Sequence, residues 1–481
     1  MESSVTKRIA KNFSWMLAGN IASGLIMFLS IIYVARVLGA ANFGLFQFVQ
    51  AFLLYLVIIV DSGLSTYGIR EIARNHERAG ALSINIFALR LILATITYCL
   101  AILILLVVPM PIKLRQLFSL TFLLVFYRAI NTDWVFQGLE KMKYVGLGKI
   151  IFAATTFILT VFLVKLPTDL LFVPLIQFIA GCLISLSFII FLFKRILTFN
   201  LKQVSPSSWP ATFLFAIPLG ISTILLQIYD NLDTIMLGLM SQPSEVGYYN
   251  AAYRIFYLFA GVFSLWLATV LPVVCNKMAE DRDKTKLFME KYLRLTLLIF
   301  IPLTLLVFLA APLFIQIVFG QQYLQAIPAL QWLIWALIPF VISNSYGSLI
   351  LIPAGMFNLF LLSVGAGALA NIVLNFLLIP KYGFIGAAIA TIIAQAIAGM
   401  YAFHCSQKVL NLDLIRYLIK PLAIVLLAAG TFLLTHNLLA GQWQIMQLLV
   451  SNIISLGVAS LLIVYLEYDF IYRFIKEIIR I

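Results

Sequence analysis

Residues Leu82–Val108 read LSINIFALRLILATITYCLAILILLVV, a run with one charge, Arg90, and neither proline nor glycine. A membrane-crossing α-helix needs about 20 mostly apolar residues, and this run meets that length. It offers no polar stripe that could face water, so as a soluble helix it would have to be buried on every side. The whole chain has the same character: 481 residues, 63% hydrophobic and 10% charged. Soluble domains run at about 45–50% apolar and about 25% charged. Buried area grows too slowly with size to hide such an excess, so lipid must solvate much of the surface.

Working outward from 82–108, similar runs lie near 13–35, 45–66, 117–139, 147–165, 171–193, 211–240, 247–272, 291–319, 327–352, 357–379, 383–404, 417–436 and 445–466. The expected fold is therefore an all-α integral membrane protein with fourteen transmembrane helices. Charge tests this map independently. With the N-terminus cytoplasmic, 24 basic residues fall in inside segments and 5 (Arg36, Lys113, Arg115, Lys165, Lys381) in outside loops. Such a bias is what the positive-inside rule requires, and it places both termini in the cytoplasm. The net charge of +14 is thereby a membrane signature. No polar domain carries a basic stripe of the kind a nucleic-acid binder shows.

Residues Met1–Asn12 are polar and basic, and the apolar run after them is too long for a signal peptide, so it reads as a retained first helix. From Tyr468, Phe470, Ile471, Phe474, Ile475, Ile478 and Ile479 repeat at helical spacing opposite Arg473, Lys476 and Arg480. That pattern predicts an amphipathic helix on the cytoplasmic leaflet. The four cysteines are far apart and read as small apolar filler.

The first twelve spans divide into two sixes. Val37-Leu38-Gly39 then Gly44-Leu45-Phe46-Gln47 opens the second span, and Met236-Leu237-Gly238 then Gly247-Tyr248-Tyr249-Asn250 opens the eighth. Each span is followed by a long charged inside loop. An even number of spans per half makes the repeat parallel, and such halves enclose a cavity with alternating access. The expected organisation is an N-terminal six-helix lobe (1–193), a linker (194–210) that skims the interface, a C-terminal six-helix lobe (211–404), two further helices (405–466) and the tail (467–481).

Charges inside spans cost roughly 2.5–3.5 kcal/mol each on insertion scales, which marks them as functional. They are Asp61, Arg90, Arg128, Asp133, Asp230, Asp233 and Arg254. Asp230 and Asp233, three apart, share a helix face. The blander alternative is that these groups pair with one another or snorkel to the interface. Three interior arginines suit an anionic substrate, because guanidinium binds phosphate oxygens bidentately. The Gly386, Ala390, Ala394, Ala398 stripe reads as close helix packing. Pro218 with Gly220, Pro302 and Pro339 are expected to bend their helices. There is no P-loop, no G-x-S-x-G elbow and no three-histidine grouping, since His76, His404 and His436 lie on separate loops. No cofactor or metal is expected, and no catalytic group.

Asp133-Trp134-Val135-Phe136-Gln137-Gly138-Leu139-Glu140-Lys141-Met142-Lys143-Tyr144 resembles a signature of the bacterial O-antigen and polysaccharide repeat-unit flippases (Wzx-type). Arg36-Val37-Leu38-Gly39, Asp61-Ser62-Gly63 and Gly68-Ile69-Arg70-Glu71 resemble the same family's first lobe. Pro380–Ala388 resembles its turn between the eleventh and twelfth helices, and Tyr417–Pro421 the start of its thirteenth. Val135 stands where the family usually has a second aromatic.

The resemblance implies the MATE-like fold of the multidrug/oligosaccharidyl-lipid/polysaccharide exporter superfamily. It also implies an inner-membrane flippase, not an enzyme, that moves an undecaprenyl-pyrophosphate-linked oligosaccharide to the outer leaflet, with polysaccharide assembly proteins as partners. Arg36, Arg90, Arg128 and Arg254 would then contact substrate in the cavity. Asp61, Asp133, Asp230 and Asp233 would couple transport to H+ or Na+. Two other functions compete. A multidrug or metabolite exporter of this fold predicts twelve helices and an acidic cavity. A membrane polysaccharide polymerase or ligase needs a large external loop, which the map lacks.

Overall fold

A computed structural model describes the backbone of residues 2–197, 203–439 and 444–479; the side chains of 2–10, 219, 221–230, 444–445, 469–471 and 473–479 lie outside the described set. Among the described residues the regular structure is helical, with no strand. Among these residues, ten helical segments are long and apolar enough to cross a membrane. Their outward faces keep large apolar side chains exposed, such as Leu106, Val107, Phe162, Leu426 and Leu438. Only a lipid solvent makes that arrangement favourable.

The chain forms two compact units, Met1–Gly238 and Leu239–Ile481. The first begins with α1 (Glu2–Asp61), which is broken at Gly39 with φ 75°. Glycine tolerates that left-handed angle at no steric cost. Each arm, about 1.5 Å per residue, is long enough to cross the hydrocarbon alone. Asn42 secures the bend by donating to Leu38 O at 3.3 Å and Pro167 O at 3.0 Å, while Lys113 Nζ donates to its Oδ1 at 3.1 Å.

A turn through Ser62 and Gly63, both at positive φ, leads into α2 (Leu64–Arg74) and then α3 (Ala79–Val107). The span expected over 117–139 is not one helix. It is three pieces: α4 (Ile112–Phe122), α5 (Leu124–Ala129) and α6 (Asp133–Gly138). The polar triplet Asn131-Thr132-Asp133 makes the second break, where Asn131 Oδ1 accepts the Asp133 N–H at 2.9 Å. Such side-chain capping competes with helix continuation.

Helix α7 (Met142–Leu163) packs closely on α1. A side chain at Gly19 would collide with the Gly146 backbone, so the two glycines let the helices touch main chain to main chain. Tyr33 seals the far end by donating to Val164 O at 2.9 Å. Helices α8 (Phe172–Arg195) and α9 (Trp209–Met240) complete the unit. The linker between them is partly outside the described residues. Its end is tied to α3 by Asn85, which donates to Gln203 O and accepts from Ser205 N, both at 2.8 Å, and from Trp209 Nε1 at 2.9 Å.

The second unit contains α10 (Pro243–Glu280), α11 (Arg282–Leu309), α12 (Ala311–Val318), α13 (Ile327–Leu333), α14 (Leu337–Tyr346), α15 (Phe357–Ser406), α16 (Leu414–Leu438) and α17 (Gln444–Ile479). Helix α11 runs through Pro302 unbroken, whereas a 3-10 turn at Ile334–Ala336 precedes Pro339. Helix α15 breaks at Gly383, φ 55°, and Glu245 caps the new start by accepting the Phe384 N–H at 3.1 Å. Buried Gly386, Ala390, Ala394 and Ala398 form the small-residue stripe, and a side chain at Gly367 would meet Ala398. The backbone of α17 carries the tail as a direct extension of the last apolar run to Ile479; the faces of its side chains beyond Tyr468, Tyr472 excepted, lie outside the described residues.

Candidate functional site

The first unit's packing centre lies beside its charges. Trp134 is buried with Phe87 edge-on at 5.5 Å, and its ring fills the space that a side chain at Gly68 would take. A side chain at Gly138 would likewise collide with Ile72. The 133–144 and 68–71 stretches, 60 residues apart in sequence, are thus two halves of one contact between α6 and α2.

Above this core is a cavity of about 230 Å³ whose wall includes Asp61, Ser65, Arg90, Arg128, Asn131 and Asp133. Arg90, on α3, is 4% exposed. It forms an ion pair with Asp61 at the end of α1 and donates a hydrogen bond to Ser65 Oγ on α2. Ser65 Oγ in turn donates to Asp61 Oδ1 at 2.7 Å. The guanidinium lies 5.8 Å from the Trp134 ring centroid, a cation–π contact. Its Nε and Nη1 have no hydrogen-bond partner among the described residues. Leaving two donors of a buried cation unsatisfied is costly, and the Asp61 carboxylate offsets part of that cost.

Arg128 differs. It is exposed, stands on α5 and packs over the Tyr127 ring at 5.1 Å. Arg128, Asn131 and Asp133 also line a second cavity of about 130 Å³, together with Lys149 and Ser185. These three residues therefore form the partition between the two spaces. Lys149 is held by Asn20 Oδ1 at 2.8 Å.

Of the eight residues singled out in the sequence, four converge on the larger cavity: Asp61, Arg90, Arg128 and Asp133. Arg36 is exposed on the first arm of α1, beside the Gly39 bend, and is not part of that wall. Asp233 is buried on α9 and also lies off it. The Asp230 side chain falls outside the described residues. Arg254 is half-buried on α10 of the second unit, between Tyr253 and Tyr257 in the chain. The larger cavity is not simply basic: two arginines face two carboxylates.

Ser65, Asn131 and Lys149 were missed as site residues. Ser65 was findable, since it lies four residues after Asp61 and so shares its helical face.

A multi-pass helical bundle with paired charges at an internal cavity is the architecture of a membrane transporter. Residues 9–278 match the family model described as polysaccharide biosynthesis protein. The chain belongs to that family, the O-antigen and polysaccharide repeat-unit flippases of the multidrug/oligosaccharidyl-lipid/polysaccharide exporter superfamily. A "Putative O-antigen transporter" of Escherichia coli K12 is 27% identical over 377 residues, covering 76% of this chain and 88% of its own. A protein of the same description from Shigella dysenteriae is 26% identical over 388 residues, covering 79% and 95%. Among solved structures, the lipid II flippase MurJ in an inward closed conformation aligns with TM-score 0.73 at 18% identity, over 95% of this chain and 100% of that one. An inward-facing multidrug MATE transporter aligns with TM-score 0.66 at 17% identity, over 80% and 94%. These two likenesses concern the fold.

Proposed function

We propose that this protein flips an undecaprenyl-pyrophosphate-linked oligosaccharide from the cytoplasmic to the outer leaflet of the inner membrane by alternating access. The observation that carries the reading is Arg90, a buried guanidinium that lines a polar cavity and is paired there with Asp61. A pyrophosphate offers acceptor oxygens at the spacing a guanidinium fork accepts. Exposed Arg128, on the same wall, would take a second phosphate or sugar hydroxyls.

In this reading the fourteen spans, the 1–193 and 211–404 lobes and the cytoplasmic termini follow from the charge map. Both the Gly39 and Gly383 breaks support it, since each divides a helix of 50 residues or more into two crossing lengths. The Asp61–Arg90 pair suits coupling to H+ or Na+, since either cation on Asp61 would release Arg90 for the anion.

The test is a clean deletion strain without a second flippase gene, complemented by wild type or Arg90→Gln. Wild type is expected to restore surface polysaccharide and the variant to fail while reaching the membrane at normal levels. Normal surface polysaccharide in the deletion strain would sink the proposal.

A further inference from the structure

We infer that the second unit carries an acidic-phospholipid site, made from residues that take no part in the Asp61–Arg90 cavity. Helices α11, α16 and α17 enclose a space of about 520 Å³. Four cations line it, Lys291, Arg294, Arg416 and Lys420, against two carboxylates, Glu290 and Glu467.

Glu467 is the internal brace. It is buried, pairs with Arg294 and accepts from Lys420 Nζ at 2.6 Å. Those bonds hold α17 to α11 and α16 and fix where the two cations point. After both carboxylates are neutralised, two positive charges remain in excess. The Arg416 guanidinium is exposed and makes no hydrogen bond or ion pair among the described residues. An arginine and lysines around one concavity match the tetrahedral oxygens of a phosphate.

Two features select a lipid phosphate over a soluble one. Leu287 and Ile419, on the wall, are apolar and 56% and 63% exposed. From Ile419, one face of α16 continues through exposed Leu422 and Leu426, with Ile415 a turn before. A glycerophospholipid covers both parts, with its phosphate among the cations and its acyl chains along the stripe. Basic recesses between transmembrane helices take acidic head groups in this way. The proposed orientation puts the site in the cytoplasmic leaflet.

The test uses the purified full chain in mixed nanodiscs, with bound lipid read by native mass spectrometry. Phosphatidylglycerol is expected to be retained in preference to phosphatidylcholine of the same chain length. Each basic residue near an acidic head group is worth about fivefold in binding, so Arg416→Gln with Lys420→Gln should lose about 25-fold. Glu290→Gln, which removes a competing carboxylate, should tighten retention about fivefold, a gain that a purely structural role would not give. Should the double variant not fold, Lys291→Gln and Glu290→Gln decide the matter by moving in opposite directions. Equal retention of the two lipids, folded variants that bind as wild type does, or displacement of the lipid by equimolar inorganic pyrophosphate would each overturn the assignment. None of these readouts depends on surface polysaccharide.

Discussion

Asp61→Asn separates what the Asp61–Arg90 pair does for the fold from what it does for the ligand. The substitution keeps the side chain's size and a hydrogen-bond acceptor for Ser65 but removes the charge facing Arg90. Breaking a fully buried pair from one side costs about 3–5 kcal/mol, and an exposed pair is worth about 0–1 kcal/mol. The Arg90 side chain is 5% exposed and that of Asp61 32%, so the expected cost lies between, at about 2 kcal/mol. For anion binding the sign reverses. Under the proposed function a pyrophosphate has to displace the carboxylate from Arg90 in the wild type; in the variant it does not. A charge-assisted hydrogen bond is worth about 1.5–3 kcal/mol, so the variant should bind about 10- to 100-fold more tightly while melting earlier. The assay is calorimetric titration of nanodisc-embedded protein with a short-chain prenyl pyrophosphate, alongside thermal melts. Unchanged or weaker binding by a folded Asp61→Asn would refute the competition argument.

Arg90→Lys keeps the charge but loses the planar fork and the stacking on Trp134, so prenyl pyrophosphate affinity should fall at least tenfold, measured by the same titration. Trp134→Ala empties the centre of the α2–α6 contact and should cost about 3–5 kcal/mol, read as a lower melting temperature and poor membrane yield. Gly383→Ala forces a side chain into a left-handed bend against the Glu245 carboxylate; about 1–2 kcal/mol of backbone strain is expected, again from melts, with Ala substituted at open Gly365 as the neutral comparison. Asn85→Ala frees the end of the linker from α3, and limited proteolysis at 203–208 should accelerate several-fold with little change in melting.

The spans were readable because hydropathy in a membrane is a local property: a run such as Leu82–Val108 needs no partner to declare itself. The interior charges were readable for the same reason, since lipid makes each one costly wherever the chain later puts it. What could not be read was who meets whom. Arg90 finds Asp61 through the Ser62–Gly63 turn, whose positive φ angles redirect α2, and neither angle leaves a hydropathy signal. Arg36 fits the family pattern by sequence, yet its place on α1 keeps it off the cavity wall. The break at 130–132 was masked because the apolar runs on either side sum to one span, while the three polar residues that cause it occupy less than a helical turn. In the family stretch around Trp134, the tryptophan and Gly138 serve packing, and the groups on the cavity wall are its first residue, Asp133, and the preceding Arg128.

The proposed anion site, being inside a membrane protein, has a difficulty that soluble sites avoid. Between transport cycles its cations would face a low dielectric, where a bare guanidinium is strongly disfavoured. Water in a cavity of about 230 Å³ offsets part of that cost, and a built-in carboxylate offsets more. Asp61 stands one turn from Ser65 and is partly solvent-exposed, which lets it leave Arg90 at moderate cost; a fully buried carboxylate would hold the arginine permanently. The same exposure lets a proton reach Asp61. Partial burial of one partner and near-complete burial of the other is therefore what a releasable ion pair requires. Exchanging the two positions, Asp61→Arg with Arg90→Asp, should rebuild the pair yet leave the cation exposed and the carboxylate buried. Stability should largely return and flipping should not; restored surface polysaccharide in that double variant would show that the pair serves only the fold.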